Sequence, residues 1–534
     1  MRSIIIPAAG LATRMKPLSK GVSKAMIPVN GRPLISYVIE HIFKESDVNE
    51  VIIVENEIGD IAEFVARVYP KLDIKCVVQA EKLGPLHAIE VGFNALEREE
   101  NAITIWLGDT ICLEDFPYQR SFLAVHNVAD PHRWCLVDSD GNLYDKPDTE
   151  VPTNKALIGV YNFVNRKAFN RSLAKGMKRH THKGEYQIAA LLEAYVKTEG
   201  AMELVETNKW YDCGELNTYY QSKARLLSKS ARSFNHIQVD TFYGTVTKWS
   251  DDPKKEEKIE AEKRWFKGLD EEQALFCPRI LESDYGILKM SLEPGTALNE
   301  VLVYDNLRTD VWHEIIRKIL EIHHQVFASH YPEKTMSSEE ASKYCFEQYF
   351  VKTKSRIAEI RKYVPITHWH EDFLLDTALM MCKHPVWSHV MHGDSHLGNI
   401  IYDPYSGSLK FVDPRGSFGE TWTQGDLRYD LGKLLQDFYC GYAMIMAKRY
   451  TWGKNEYKND TIEINWVPGT EKLSEFLEAE LESRGYEVHL LKRLAVVLLI
   501  TAIPFHTDDP DRQKAMFVHG KQLIKELSNN SNNN

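Results

Sequence analysis

The stretch HGDSHLGNII (392–401) carries Asp394 and Asn399, and FVDPRG (411–416) follows with Asp413. Carboxylate and carboxamide oxygens suit Mg²⁺ that keeps its other positions for phosphate oxygens, so Asn399 and Asp413 are the candidate ligands. Asp394 lies five residues before Asn399 in the same stretch. The chain opens on a second phosphate-binding pattern, IIIPAAGLATRM (4–15). After a β-rich run come small residues, Ala9 and Gly10, whose backbone can approach a nucleotide closely. Arg14 adds a bidentate phosphate donor, and Lys24 follows ten residues later. Asp109 in WLGDTI and Asp212 in WYDCGE are far apart in sequence but could converge on one Mg²⁺ at the carboxyl edge of a sheet.

Such positioning needs defined elements. RSIIIPAA, EVIIVEN, IKCVVQA and AITIWLGD have strand patterns and alternate with helical spacing in RPLISYVIEHIFKES, IGDIAEFVARVYPK and GPLHAIEVGFNALEREE. That alternation predicts an α/β fold with a mostly parallel sheet covered on both faces. RWCLVDSDGNLYD, with its D-G turn, and ALIGVYNFV add strands, and a helix is expected over about 216–229. FNHIQVD, GTVTKWS and YGILKMSL then look antiparallel, with the charged stretch 251–264 between them read as a solvated helix. Beyond residue 310 helical spacing dominates, with LKFVD as the exception. The expected domains are 1–228, a second domain over 229–527 (small lobe 229–295, large lobe 296–527), and a disordered tail at 528–534.

At 534 residues the chain is too long for one ordinary core. With 43% hydrophobic and 26% charged residues and a net charge of −11, it has the composition of a soluble globular protein and no overall footprint for nucleic acid. LAVVLLITAIPF (494–505) reads as a buried helix too short to span a bilayer, and no secretory signal is read at the start. Eight cysteines without C-x-x-C spacing favour reduced thiols in a cytoplasmic compartment. Oligomeric state is not legible.

PAAGLATRM followed by SKAMIPVNGRPLISYVIE resembles the opening of the sugar-phosphate nucleotidyltransferases. GPLHAI, WLGDTI, LYDKP, NKALIGVYNF, KGEYQI and WYDCGE resemble later segments of that family in order. Ala12 replaces a loop glycine, Ser23 a proline and Asp145 a glutamate of the family pattern. The resemblance implies a Rossmann-like domain in which Arg14 holds the triphosphate and Lys24 lies between donor and acceptor phosphates. It implies that Gly84 lies at the base and ribose, that Lys146, Gly159 and Glu185 face the acceptor, and that Asp109 and Asp212 hold Mg²⁺. HGDSHLGNII with FVDPRG resembles the catalytic loop and metal-binding aspartate of the aminoglycoside phosphotransferase and choline kinase superfamily, implying a bilobal, protein-kinase-like second domain in which Asp394 orients a substrate hydroxyl and accepts its proton. There Lys248 would reach the ATP phosphates, Glu262 would pair with it in preference to Glu260, ILKMSLEPG would border the adenine, and SKSARSFN would cover the phosphates. Asp430 in RYDLGKL would support the catalytic loop, and His392 would brace it.

Together these imply a bifunctional transferase. A kinase step would use ATP on a sugar or amino alcohol, and a nucleotidyl step would use CTP or UTP, each with Mg²⁺, for polysaccharide or glycoconjugate synthesis. The alternatives are a nucleotidyltransferase with an inactive, regulatory kinase-like domain, and a nucleotide-binding scaffold. The partners expected are small molecules and nucleotides, with no membrane insertion.

Overall fold

The computed structural model describes residues 1–10, 15, 16, 18, 21–99, 101–179, 184–229, 236–281, 284–305, 307–328 and 336–530. Arg14, Ala12, the histidines at 180 and 182, and most of SKSARSFN lie outside them. The chain divides into two compact units, Met1–Leu226 and Leu227–Asn534.

In the first unit Arg2–Pro7 lies between Val48–Glu55 and Ala102–Trp106, in parallel with both, and Ile74–Val78 continues the parallel run. Ile4, Ile5 and Ile6 are buried, as a strand covered on both faces requires. The helices Leu34–Ile42, Asp60–Val68 and Pro85–Asn94 make the crossovers between these strands. Lys155–Phe163 then enters antiparallel to Ala102–Trp106 and pairs on its other edge with Phe122–Asn127. Cys135–Val137, Leu143–Asp145 and Glu203–Glu206 complete a nine-stranded sheet in which Lys155–Phe163 and Leu143–Asp145 run opposite to the other seven. The D-G turn is fixed by the Asp138 carboxylate, which accepts from the Asp140 and Asn142 amides.

The second unit begins with an antiparallel sheet of His236–Asp240, Thr245–Trp249 and Ile287–Ser291. The helix Pro253–Lys267 starts at Asp252, whose carboxylate accepts from the Lys254 amide, with proline at the first position. Its charged run is not wholly solvated: Glu262 and Lys263 are buried with Ile259, Trp265 and Phe266. The remainder is mainly helical, with more strands than LKFVD alone. Ser408–Phe411 pairs with Ile400–Asp403, which pairs with Thr296–Ala297, and Tyr450–Lys454 forms a hairpin with Asp460–Ile464.

The apolar stretch extends further than its sequence suggests. An 18-residue window over Val488–Phe505 is long and apolar enough to cross a membrane by composition alone. Most of that window is packed inside the unit, and Leu490, Leu494 and Leu498 join Tyr349, Met391 and Phe418 in one apolar cluster. The C-terminal helix Pro510–Asn530 takes in residues 528–530, which the sequence assigns to a tail. All eight cysteines are unpaired.

Candidate active sites

In the first unit the chemistry gathers where parallel strands end. The Gly108 amide donates to the Pro7 carbonyl at 3.0 Å, which ties the Asp109 turn to the Ala8–Gly10 segment. Asp212 arrives through strand register. Trp210–Asp212 pairs antiparallel with Thr110–Cys112, so Asp212 stands opposite Thr110, the neighbour of Asp109. Lys24 Nζ forms an ion pair with the Asp109 carboxylate.

Burial pushes the Asp212 carboxyl above its ordinary range; Thr218 and the Gly214 amide pull it back, and Asp109 adds to the rise. Its Oδ2 is buried without a hydrogen-bond donor. A divalent cation shared by Asp109 and Asp212 would satisfy that oxygen and relieve the repulsion, so the residues fit Mg²⁺. No cluster of three or more His, Cys, Asp or Glu ligands occurs among the described residues, so water and phosphate oxygens would have to supply the remaining positions.

Ser23, the departure from the family's proline, has a structural reason. Its amide donates to Asp60 Oδ2 at 2.8 Å, its hydroxyl donates to Asp60 Oδ1, and Asn56 Nδ2 donates to its Oγ at 2.9 Å. Proline has no N–H for the first of these bonds.

Gly84 adopts φ 96°, and a Cβ there would lie 2.7 Å from the Glu185 Cβ, so these two predicted residues are brought together. The contact is sealed by the Tyr186 amide donating to the Leu83 carbonyl at 2.7 Å. Gly159 (φ 93°) sits in an irregular step of its strand and accepts from the Leu107 amide at 2.9 Å, against the turn that carries Asp109. Lys146 is exposed in the left-handed region at φ 47°, its amide bonded to the Trp134 carbonyl.

In the second unit the predicted residues converge on one loop system. Lys248 Nζ is 2.6 Å from Glu262 Oε2 and also pairs with the Asp413 carboxylate. The competing Glu260 is engaged elsewhere: it pairs with Lys263 at 2.7 Å and accepts from the Gly286 amide. Asp413 has φ 57°, a strained conformation for a residue with a Cβ. Burial opposes ionisation of Asp413, but the Lys248 ammonium outweighs it and holds the carboxyl below its ordinary range. Asn399 Nδ2 donates to the Asp394 carbonyl at 2.9 Å, which fixes the amide beside the candidate base. Asn399 and Asp413 therefore also fit a cation completed by phosphate oxygens.

The loop around Asp394 is braced from one helix face. Asp430 accepts from the His392 and Gly393 amides, both at 2.8 Å. His392 Nε2–H donates to the Val412 carbonyl at 2.9 Å, and burial pushes its pKa down to about 4, so the ring is neutral. Two supports were not read from the sequence. Lys433 Nζ lies 3.0 Å from Asp394 Oδ1, and Asp437 Oδ2 accepts from the Leu397 amide at 2.6 Å. Their signal was the spacing in RYDLGKLLQD, where residues 430, 433 and 437 form one stripe of the helix Leu427–Phe438. Burial disfavours the Asp394 anion, yet Lys433 and then His396 hold its carboxyl well below the usual range.

Residues 3–229 match the nucleotidyl transferase family. The chain is 27% identical over 210 residues to UTP–glucose-1-phosphate uridylyltransferase of Bacillus subtilis, covering 31% of this chain and 71% of that protein. It is 30% identical over 208 residues to bifunctional protein GlmU of Rhizobium rhizogenes, covering 35% of this chain and 44% of that protein. It is 27% identical over 186 residues to low-salt glycan biosynthesis nucleotidyltransferase Agl11 of Haloferax volcanii, covering 30% and 49%. The chain thus spans less than half the length of the latter two relatives. The N-terminal part of this chain is a nucleotidyltransferase domain with a Rossmann-like α/β fold, and its homologues include sugar-1-phosphate nucleotidyltransferases.

Proposed function

We propose that the chain is a bifunctional enzyme that makes a phosphate monoester in its second unit and consumes it in its first. The observation that carries this reading is that each unit has its own lysine paired with a carboxylate at a phosphate-type site. Lys24 lies on Asp109 beside Asp212, and Lys248 lies on Glu262 and Asp413.

In the second unit, a hydroxyl of a small compound attacks the γ-phosphorus of ATP, the bond to the β-phosphate oxygen breaks, and ADP leaves. Asp394, kept ionised by Lys433, orients the hydroxyl and accepts its proton. Lys248 holds the donor phosphates, and Glu262 holds Lys248. In the first unit the monoester is already an anion and needs no general base. Its oxygen attacks the α-phosphorus of the nucleotide in line, and pyrophosphate leaves. Arg14 and Lys24 hold the triphosphate and the acceptor phosphate, Ala9 and Gly10 line the donor, Gly84 lies at its base and ribose, and Lys146, Gly159 and Glu185 face the acceptor. Mg²⁺ held by Asp109 and Asp212, or by Asn399 and Asp413, would neutralise phosphate oxygens.

The acceptor class we assign is a sugar phosphate. The Bacillus subtilis relative, named for UTP and glucose 1-phosphate, supports UTP as the first donor to test, with CTP the other. The product would be an activated unit for polysaccharide or glycoconjugate synthesis. Unpaired cysteines fit a reducing compartment, and we place both reactions in the cytoplasm. The test is a crossed pair of variants. Asp394→Ala should stop ATP-dependent phosphorylation while leaving pyrophosphate release from a supplied phosphoester intact, and Asp109→Ala should do the reverse. A nucleotidyl step that survives Asp109→Ala, or a wild-type protein that phosphorylates no hydroxyl compound, would sink the bifunctional reading.

A further inference from the structure

One ring nitrogen of His396 has a structural task and the other has none. Nδ1 accepts from the Gly398 amide at 3.1 Å and so caps the short helix Leu397–Asn399. A ring nitrogen that accepts carries no proton, which leaves the N–H on Nε2. The ring is closely seated. A Cβ on Gly398 would lie 2.7 Å from its Cε1, and Tyr442 stands edge-on with ring centroids 5.8 Å apart. Tyr442 is steadied in turn by His506, whose Nε2 is 3.2 Å from the Tyr442 hydroxyl. Capping needs only Nδ1, and asparagine, serine or aspartate would supply that acceptor without a ring. Nε2 has no hydrogen-bond partner among the described residues.

Nε2 faces Asp394, 3.8 Å from Oδ2 and too far for a hydrogen bond. The two carboxylate oxygens of Asp394 are not equivalent. Oδ1 is taken by Lys433 at 3.0 Å. Oδ2 has the Asn399 amide at 3.4 Å, but the shorter bond of that amide, 2.9 Å, goes to the Asp394 carbonyl. Both side chains keep an open face, with 20% of His396 and 32% of Asp394 exposed. Two atoms this far apart can each lie about 2.8 Å from a single oxygen seated between them. A hydroxyl there accepts from Nε2–H through one lone pair and donates its proton to Oδ2. Asp394 alone would fix the direction of the O–H bond; the second contact also fixes where the remaining lone pair is aimed.

We propose that His396 is a further substrate-binding residue of the phosphotransfer step, its Nε2–H gripping the attacking hydroxyl oxygen opposite Asp394 Oδ2. This rests on the reading of the second unit as a phosphotransferase. As the new O–P bond forms and the bond to the β-phosphate oxygen breaks, the hydroxyl proton passes to Asp394, and His396 keeps its own proton throughout.

The test uses the full chain with ATP, Mg²⁺ and glucose, glycerol or ethanolamine as acceptor, and reads ATP hydrolysis to water in their absence. His396→Asn retains an acceptor for the Gly398 amide but has no donor at the Nε2 position, whereas His396→Gln can bring an N–H there. His396→Asn should therefore keep the wild-type urea midpoint and KM for ATP, while kcat for phosphate transfer falls about 100-fold, the scale of a misplaced nucleophile. His396→Gln should recover at least about tenfold of that loss, the worth of one restored hydrogen bond. Wild-type kcat in His396→Asn, or no recovery in His396→Gln, would overturn the proposal with the phosphotransferase reading intact. So would a His396→Asn defect that appears as a lowered urea midpoint or a raised KM for ATP, since the ring would then only support the loop. A wild-type chain that passes phosphate from ATP to none of the acceptors and not to water would sink the phosphotransferase reading and this proposal with it.

Discussion

In the first unit Asp109 and Asp212 meet because two short strands pair in register, and Asp212 Oδ2 is left buried without a donor. In the second unit Asp394 is reached by Lys433, its loop amides end on Asp430, and Asn399 is bonded to its carbonyl. One site is a meeting of sheet edges that leaves charge for a ligand to complete. The other is a wired loop whose members support one another before any ligand arrives. Residues of the first should therefore matter to activity more than to folding, whereas the supports of the second should matter to both.

The sharpest contrast is between the two lysines. Lys248→Met removes the partner of buried Glu262 and should destabilise the second unit by about 3–5 kcal/mol, together with loss of phosphorylation. Lys24 pairs with an Asp109 side chain that is 34% exposed, so Lys24→Met should cost less than about 1 kcal/mol while still crippling nucleotidyl transfer. Urea unfolding of both variants beside their two assays checks this; equal stability losses would break the comparison.

Asp430→Ala leaves two buried amides without an acceptor and should cost about 1–3 kcal/mol, and the loosened loop should lower phosphorylation as well. A variant with wild-type stability and activity would mean that the loop is not wired as described.

A pH effect of similar size follows from His323, which is fully buried and has its pKa pushed down to about 3 by burial. Below pH 6.5 the unfolded chain binds a proton there that the folded chain does not, so this group's stabilising contribution is lost as pH falls from 6.5 towards 3. The slope approaches about 1.4 kcal/mol per pH unit. Asp430, pushed up to about 6 by burial, acts oppositely: its contribution is present at low pH and is lost as pH rises through 6. His323→Phe removes the first slope, so unfolding curves at stepped pH should show the variant gaining on wild type as pH drops from 6.5 to 4. A constant difference between the two would contradict a neutral, buried His323. The smallest effect belongs to Ser23→Ala, which deletes the hydroxyl link to Asp60 and Asn56 and should cost about 1 kcal/mol in thermal unfolding of the first unit.

What the sequence made legible differs between the units for a physical reason. Strand and helix periodicities in the first unit are long and local, and the chemical residues sit at strand ends, so period and motif together locate them. The convergence of Asp212 on Asp109 needed the pairing of two three-residue strands, too short to leave a period. In the second unit the loop motifs were readable because Asp394, Asn399 and Asp413 are close in sequence. Lys433 was not, because it acts across the fold from a helix whose sequence reads simply as amphipathic. The hairpin Tyr450–Lys454 with Asp460–Ile464 was hidden by polar residues on both faces, with Ile462 as its buried member. Ser23 looked like a departure from a motif until Asp60 and Asn56 supplied its partners.

The central claim is that one unit makes the ester that the other consumes, and it can be tested by following a single phosphorus atom. The full chain would be given ATP labelled at the γ-phosphoryl, unlabelled UTP or CTP, Mg²⁺ and an unphosphorylated hydroxyl acceptor. The account predicts that the label ends in the diphosphate bridge of a nucleotide-linked product. It also predicts that Asp394→Ala abolishes all incorporation and that Asp109→Ala stops it at the labelled monoester. A nucleotide-linked product that forms without the label, or that still forms with it in Asp394→Ala, would contradict the account.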